Sequence, residues 1–151
     1  MSASIWRGVI PAITTPFTVD DKVDHEFLGR HAQRMLDAGC TGIVPLGSLG
    51  EAATLSFDEK LDILRTLVDA CKGRAPVIPG IAALSTGEAV KLAKAAEQIG
   101  CKGMMVLPPY VYSTDWREMG GHVRSVIDAT SLPCMLYNNP IAYKTDFSAV
   151  Q

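Results

Sequence analysis

Residues 38–47 read AGCTGIVPLG, and 61 positions further on, residues 99–108 read IGCKGMMVLP. An offset of that size is two strand–helix units of about 30 residues each. The echo sits inside a longer rhythm. Apolar runs recur at 9–14 (VIPAIT), 42–47 (GIVPLG), 77–82 (VIPGIA), 103–108 (GMMVLP) and 133–138 (PCMLYN). They are nearly continuous rather than alternating, which suits strands covered on both faces, as in a parallel sheet.

Helical spacing fills the gaps. Residues 24–39 place Phe27, Leu28, His31, Met35 and Leu36 near one face, and residues 58–71 do the same with Leu61, Leu64, Leu67 and Val68. Residues 87–100 and 116–130 follow, the latter weakened by Gly120 and Gly121. Ser56 with Glu59, and Ser85 with Glu88, have the spacing of capping boxes, and Gly39, Gly73 and Gly100 stand where helices should stop. A further helix is expected to start within TDFSAVQ, 145–151. Strands alternating with helices predict a parallel α/β sheet with right-handed crossovers. Two architectures satisfy that pattern. One is a complete flavodoxin-like, doubly wound five-stranded domain with strand order 2-1-3-4-5. The other is the first five-eighths of a TIM barrel, whose whole takes about 250 residues.

The 151 residues are 48% hydrophobic and 20% charged, with a formal net charge of −2. This is the composition of a globular protein, and the scattered lysines and arginines form no stripe that would track nucleic acid. No apolar run approaches the ~20 residues of a membrane helix, and the opening MSASIWRGVI lacks the long apolar stretch of a secretory signal, so a cytoplasmic protein is expected. Cys40, Cys71, Cys101 and Cys134 form no C-x-x-C pair and read as reduced packing residues. His25, His31 and His122 are scattered and read as surface or packing residues, and no metal site is expected.

Chemistry in both architectures gathers at the carboxyl ends of the strands. Those ends carry TTPF (14–17), GSLGE (47–51), AALST (82–86), PPYVY (108–112) and YNNP (137–140), which are rich in hydroxyls and poor in charge. The two glycines of GSLGE frame a turn able to aim consecutive N–H groups at a small anion such as a carboxylate, with the Ser48 hydroxyl beside them. A purely structural tight turn reads equally from those residues. So do packed aromatics for PPYVY and for Tyr137.

The combination resembles the dihydrodipicolinate synthase / N-acetylneuraminate lyase family of TIM-barrel enzymes. That family carries G-[TS]-x-G-E after its second strand, P-P-Y or P-Y-Y after its fourth and Y-N-x-P after its fifth. Here Gly47–Glu51, Pro108-Pro109-Tyr110 and Tyr137-Asn138-Asn139-Pro140 follow in the same order, and GVIPAITTPF is similar to the family's first strand. The resemblance covers essentially the whole chain and implies a single incomplete (β/α)8 domain over 1–151.

The resemblance also implies a reaction. A lysine forms a Schiff base with pyruvate or a related 2-oxo acid, and the protonated imine acts as the electron sink for making or breaking the neighbouring bond. By position, Tyr137 matches the proton shuttle, Ser48 the relay hydroxyl, and Tyr110 a second tyrosine that reaches in from a neighbouring subunit. Gly47, Ser48 and Leu49 match the turn that holds the oxo acid's carboxylate. A phenol of ordinary pKa, about 10, is a poor base at neutral pH, and a chain of hydroxyls lets it pass a proton without holding a bare phenolate. A homo-oligomer, dimer or tetramer, is implied, and no metal or dissociable cofactor.

Three departures qualify the carry-over. The family's lysine lies on the sixth strand, which would fall beyond Gln151. Lys144, in the loop or helix start after Tyr137, precedes that strand and reads as a solvated charge. The 151 residues are therefore expected to hold the binding and proton-transfer half of a site. Leu49 stands where the synthases proper have a hydroxyl. Ala142 stands where they have an arginine for the aldehyde substrate's carboxylate. A relative acting as aldolase, dehydratase or deaminase on another 2-oxo acid fits better. The rival reading is a flavodoxin-like binding module without covalent chemistry.

Overall fold

The computed structural model describes residues 4–109 and 115–150. In chain order the elements are α1 (His25–Asp37), α2 (Phe57–Cys71), β1 (Gly80–Ile81), α3 (Thr86–Ile99), β2 (Met104–Val106), α4 (Trp116–Ile127), β3 (Cys134–Leu136) and α5 (Pro140–Tyr143). The strands pair in parallel in the order β1-β2-β3.

The first two apolar runs join this sheet through single parallel bridges. Ala12 faces Val44, and Ile43 faces Val77. The interruption has a cause in the sequence, since Pro11, Pro45 and Pro79 supply no N–H to a ladder. Their carbonyls still serve. Pro11 O accepts from Val44 N at 2.9 Å, Pro45 O from Gly80 N at 2.8 Å, and Pro79 O from Met105 N at 2.9 Å. The second run thus lies between the first and the third. A 2-1-3-4-5 order forbids that arrangement, so the flavodoxin-like alternative is set aside.

Helices α1–α4 bury one face of this sheet. The Ser56 capping box is complete: Ser56 Oγ accepts from Glu59 N while Glu59 Oε2 accepts from Ser56 N at 2.8 Å. Ser85 caps α3 through Glu88 N, and Gly100 ends it in the left-handed region. In α2 the residues sealed against the sheet are Ile63, Leu64, Leu67 and Cys71. Full burial of a leucine such as Leu64 stabilises the fold by roughly 1.5–3 kcal/mol.

The inward stripe of α1 is Leu28, Ala32 and Leu36, spaced four apart. Phe27 and His31, expected on that face, instead stack on each other at its flank, with ring centroids 5.9 Å apart. The small Ala32 lets the helix sit close, and the larger pair is displaced sideways. His122 is buried, with Nδ1 3.0 Å from Thr86 Oγ1. Gly120 lies under the Trp116 ring, where a Cβ would approach within 3.2 Å. Among the described residues no helix is long and apolar enough to cross a membrane.

The helix expected within 145–151 is not found in its described part, 145–150. A single turn starts earlier, at Pro140, because Asn139 Oδ1 accepts from Ala142 N at 3.2 Å and proline suits the first helical position. Lys144, with φ 53°, ends that turn in the left-handed region.

Candidate functional site

The turn after the second run is fixed from below. Leu46 and Glu51 both take positive φ, 61° and 54°. A left-handed non-glycine residue costs on the order of 1–3 kcal/mol, which the surroundings must hold in place. They do so by close packing. A Cβ on Gly80 would lie 2.7 Å from the Leu46 carbonyl oxygen, so the third run can pass beneath only as glycine. Thr15 Oγ1, itself buried, donates to Gly50 O at 2.7 Å and ties the turn to the first run. Gly50 N and Ala52 N both donate to Gly47 O. Ser48 and Leu49 are left exposed at the tip, and among the described residues nothing accepts from their backbone N–H groups.

Tyr137 follows β3, the strand at the far edge of the sheet. Its N–H donates to Val106 O at 2.8 Å, which carries the β2–β3 ladder one residue past Leu136. Two amides then shape the loop. Asn138 Nδ2 donates to Asp146 Oδ1 at 2.9 Å and to Phe147 O at 3.2 Å, and Phe147 N returns a bond to Asn138 Oδ1, closing residues 138–147 into a loop. Asn139 spends its Oδ1 on capping α5. Its Nδ2 therefore faces Tyr137, whose phenolic oxygen accepts from it at 3.2 Å. With that bond accepted, the phenol's own proton is available for donation elsewhere.

The α5 turn brings up Tyr143. Its hydroxyl is hydrogen-bonded to Ser48 Oγ, across 95 residues of sequence. Its ring meets that of Tyr137 edge-on, with centroids 6.0 Å apart. Gly47, Ser48, Leu49, Tyr137 and Tyr143 all line one cavity of about 300 Å³ that extends from the carboxyl ends of the strands along the inner face of the sheet. The rest of its described wall comes from Trp6 and from side chains of the runs, among them Val44, Ile78 and Met105, and no charged side chain takes part. A volume near 300 Å³ suits a small molecule, and an apolar wall with a few convergent hydroxyls is the usual composition of such a site.

The turn residues and Tyr137, widely separated in sequence, thus line one cavity. Tyr110 lies outside the described residues. Ala142 is exposed on α5 and Lys144 is its exposed C-cap, neither lining the cavity. Sequence reasoning missed Asn139 and Tyr143. Asn-Pro opening a helical turn is a readable start signal that would have found the first. Nothing local marks the second, because its partner is distant in sequence.

The cysteines stand apart from this chemistry. Burial pushes the Cys101 thiol up to about 12 and raises Cys71 and Cys134 as well, so these thiols pack as neutral groups. All four are free.

The Dihydrodipicolinate synthetase family matches residues 5–150. The chain belongs to that family. It is 41% identical over 140 residues to a 4-hydroxy-tetrahydrodipicolinate synthase from Natronomonas pharaonis, a match that takes in 93% of this chain and 47% of that one. It superposes with a TM-score of 0.92 and 30% identity on the dihydrodipicolinate synthase of Cyanidioschyzon merolae solved with lysine bound, covering 97% of this chain and 50% of the other. It superposes with a TM-score of 0.90 and 31% identity on YagE, a prophage protein of the dihydrodipicolinic acid synthase family from E. coli K12 solved with pyruvate, covering 95% and 48%. The chain spans about half the length of these dihydrodipicolinate synthetase relatives.

Proposed function

We propose that these residues are strands one to five of a (β/α)8 barrel whose whole is a Schiff-base lyase acting on pyruvate or a related 2-oxo acid. One observation carries this reading: Ser48 and Tyr137 converge on a single cavity beside two uncommitted N–H groups. In the proposed reaction, a lysine amine on the sixth strand adds to the keto carbon. Loss of water leaves a protonated imine. The oxo acid's carboxylate rests on the Ser48 and Leu49 N–H groups. Tyr137 carries protons to and from the intermediate, with Ser48 next in the relay and Tyr110 as the second tyrosine that the resemblance implies. The enzyme is a cytoplasmic homo-oligomer in this reading, and the chemistry asks for no metal or dissociable cofactor.

Two positions favour a relative of the synthase over the synthase proper. Leu49 offers no hydroxyl to the carboxylate, and Ala142 offers no guanidinium to a second, acidic substrate. The described cavity wall has no cation in compensation. An aldolase, dehydratase or deaminase whose second reactant is uncharged at that end fits these residues.

The test is borohydride reduction in the presence of pyruvate, read by intact mass. The chain continued through its sixth strand should gain one reduced pyruvyl adduct on one lysine, and the 151-residue chain none. An adduct on Lys144 of the short chain would overturn the sixth-strand assignment. No adduct on the extended chain would return the protein to a binding role without covalent chemistry.

A further inference from the structure

We infer that Thr15 is a positioning residue for the turn at 47–51: its hydroxyl sets the aim of the Ser48 and Leu49 N–H groups, and through them the affinity for the oxo acid's carboxylate. The inference rests on the Schiff-base reading and deepens it, adding a residue of the first run to the carboxylate site.

Thr15 belongs to TTPF, at the end of the first run. Among the described residues, Thr15 and His122 are the buried polar side chains, and burying a hydroxyl is costly unless it is bonded. Thr15 Oγ1 donates to Gly50 O at 2.7 Å, and no other described group donates to that oxygen. A valine would have nearly the same outline and no donor, so what the hydroxyl adds at this position is that one bond.

The bond has leverage over the tip of the turn. Gly50 follows Leu49 directly. Its own N–H and that of Ala52 close back on Gly47 O at 3.0 and 3.4 Å, so backbone bonds hold the tip across its base while Thr15 fixes it to the sheet. The first run is a firm anchor, since Ile13 N donates to Val44 O at 3.0 Å and Val44 N to Pro11 O at 2.9 Å. The turn lies close against it: a Cβ on Gly50 would come within 3.1 Å of Ile13 O. Leu46 and Glu51 bracket the tip, both at positive φ, where non-glycine residues are strained. Without the Thr15 bond they are free to relax and swing the N–H pair. Two N–H groups grip one carboxylate only when both point at it, and a misplacement of about 0.5 Å or 10–20° weakens such a site.

The experiment uses the full-length chain, continued through its sixth strand and the rest of the barrel. Borohydride adducts are read by intact mass at rising concentrations of pyruvate and, separately, of methyl pyruvate, whose keto carbon is kept but whose ester carries no charge. In Thr15→Val the pyruvate concentration giving half-maximal adduct should rise about 10-fold, the low end for a lost hydrogen bond to a charged group. The value for methyl pyruvate should not move. Thr15→Ser keeps the hydroxyl and should restore the wild-type pyruvate value. Gly50→Ala crowds Ile13 O with Thr15 intact and should show the same selective loss, which reads the joint independently if Thr15→Val does not fold. An unchanged pyruvate value in Thr15→Val, or Thr15→Ser as weak as Thr15→Val, would overturn the role. So would an equal loss for both compounds, the mark of a merely structural residue. Those outcomes leave the Schiff-base reading standing as long as the wild-type protein traps pyruvate. Failure of the wild-type protein to form the adduct overturns that reading and the Thr15 role with it.

Discussion

The two faces of the sheet are built to different ends. On the helix-covered face Met104 and Val106 of β2 are fully buried, as are Leu64 and Leu67 of α2. On the other, Met135 of β3 is 42% exposed and Ser48, Leu49 and Tyr137 surround a cavity. The strands have the same kind of sequence on both sides. What differs within the 151 residues is the neighbour: helices at close packing on one side, and on the other no packed layer, where the proposed barrel would bring its remaining strands. Substitutions on the covered face should therefore act on stability, and those at the cavity on chemistry.

The sharpest way to break that division is Tyr137→Phe in the chain continued through its sixth strand. The exchange keeps the ring and its edge contact with Tyr143 but removes the proton and the Asn139 bond. Turnover should fall by about 10²–10⁴, the usual worth of a positioned acid–base group, with an unchanged melting temperature. Wild-type turnover would remove Tyr137 from the relay.

On the covered face, Leu64→Ala opens a cavity among residues that cannot collapse onto it. It should cost about 2–5 kcal/mol in denaturant unfolding of the 151-residue chain. Met135→Ala, on the exposed face of β3, should cost under about 1 kcal/mol. Equal losses at the two positions would mean that the cavity face is as tightly packed as the other.

A smaller effect tests the edge of the covered face. Ser56→Ala removes one half of the capping box of α2 and should cost about 0.5–2 kcal/mol. The Ser56→Asn variant should restore most of that loss, since the cap needs an acceptor there and little else.

How far the sequence led follows from the same contrast. The covered face was legible, because spacing and caps are local signals, and the prolines that thin the first ladders are visible in the runs themselves. The turn at 47–51 and Tyr137 were legible as an ordered set of motifs at strand ends. Phe27 and His31 were misplaced because periodicity cannot say that a small residue, Ala32, wins the inward position. The helix was drawn too late because the Asn139–Pro140 start was read as part of the site motif alone. Tyr143 was not legible at all. Its meeting with Ser48 depends on a turn that returns the chain there, and no residue near it announces that contact.

The last and mildest prediction concerns pH, and it too separates the faces. His122 is buried on the covered side against Thr86, and desolvation lowers its pKa below the ordinary histidine value. The folded protein therefore binds a proton there less readily than the unfolded chain. Above about pH 6.5, the unperturbed value, His122 is neutral in both states and contributes no pH dependence. As pH falls from there through the lowered folded pKa, the unfolded state takes up protons first and stability is lost. Thermal melts of the 151-residue chain from pH 8 to pH 5 should show that decline, and His122→Gln, which keeps a polar partner for Thr86 but does not titrate, should show a shallower one. Parallel curves for the two proteins would mean that His122 protonates equally in both states, and the decline would then belong to other groups.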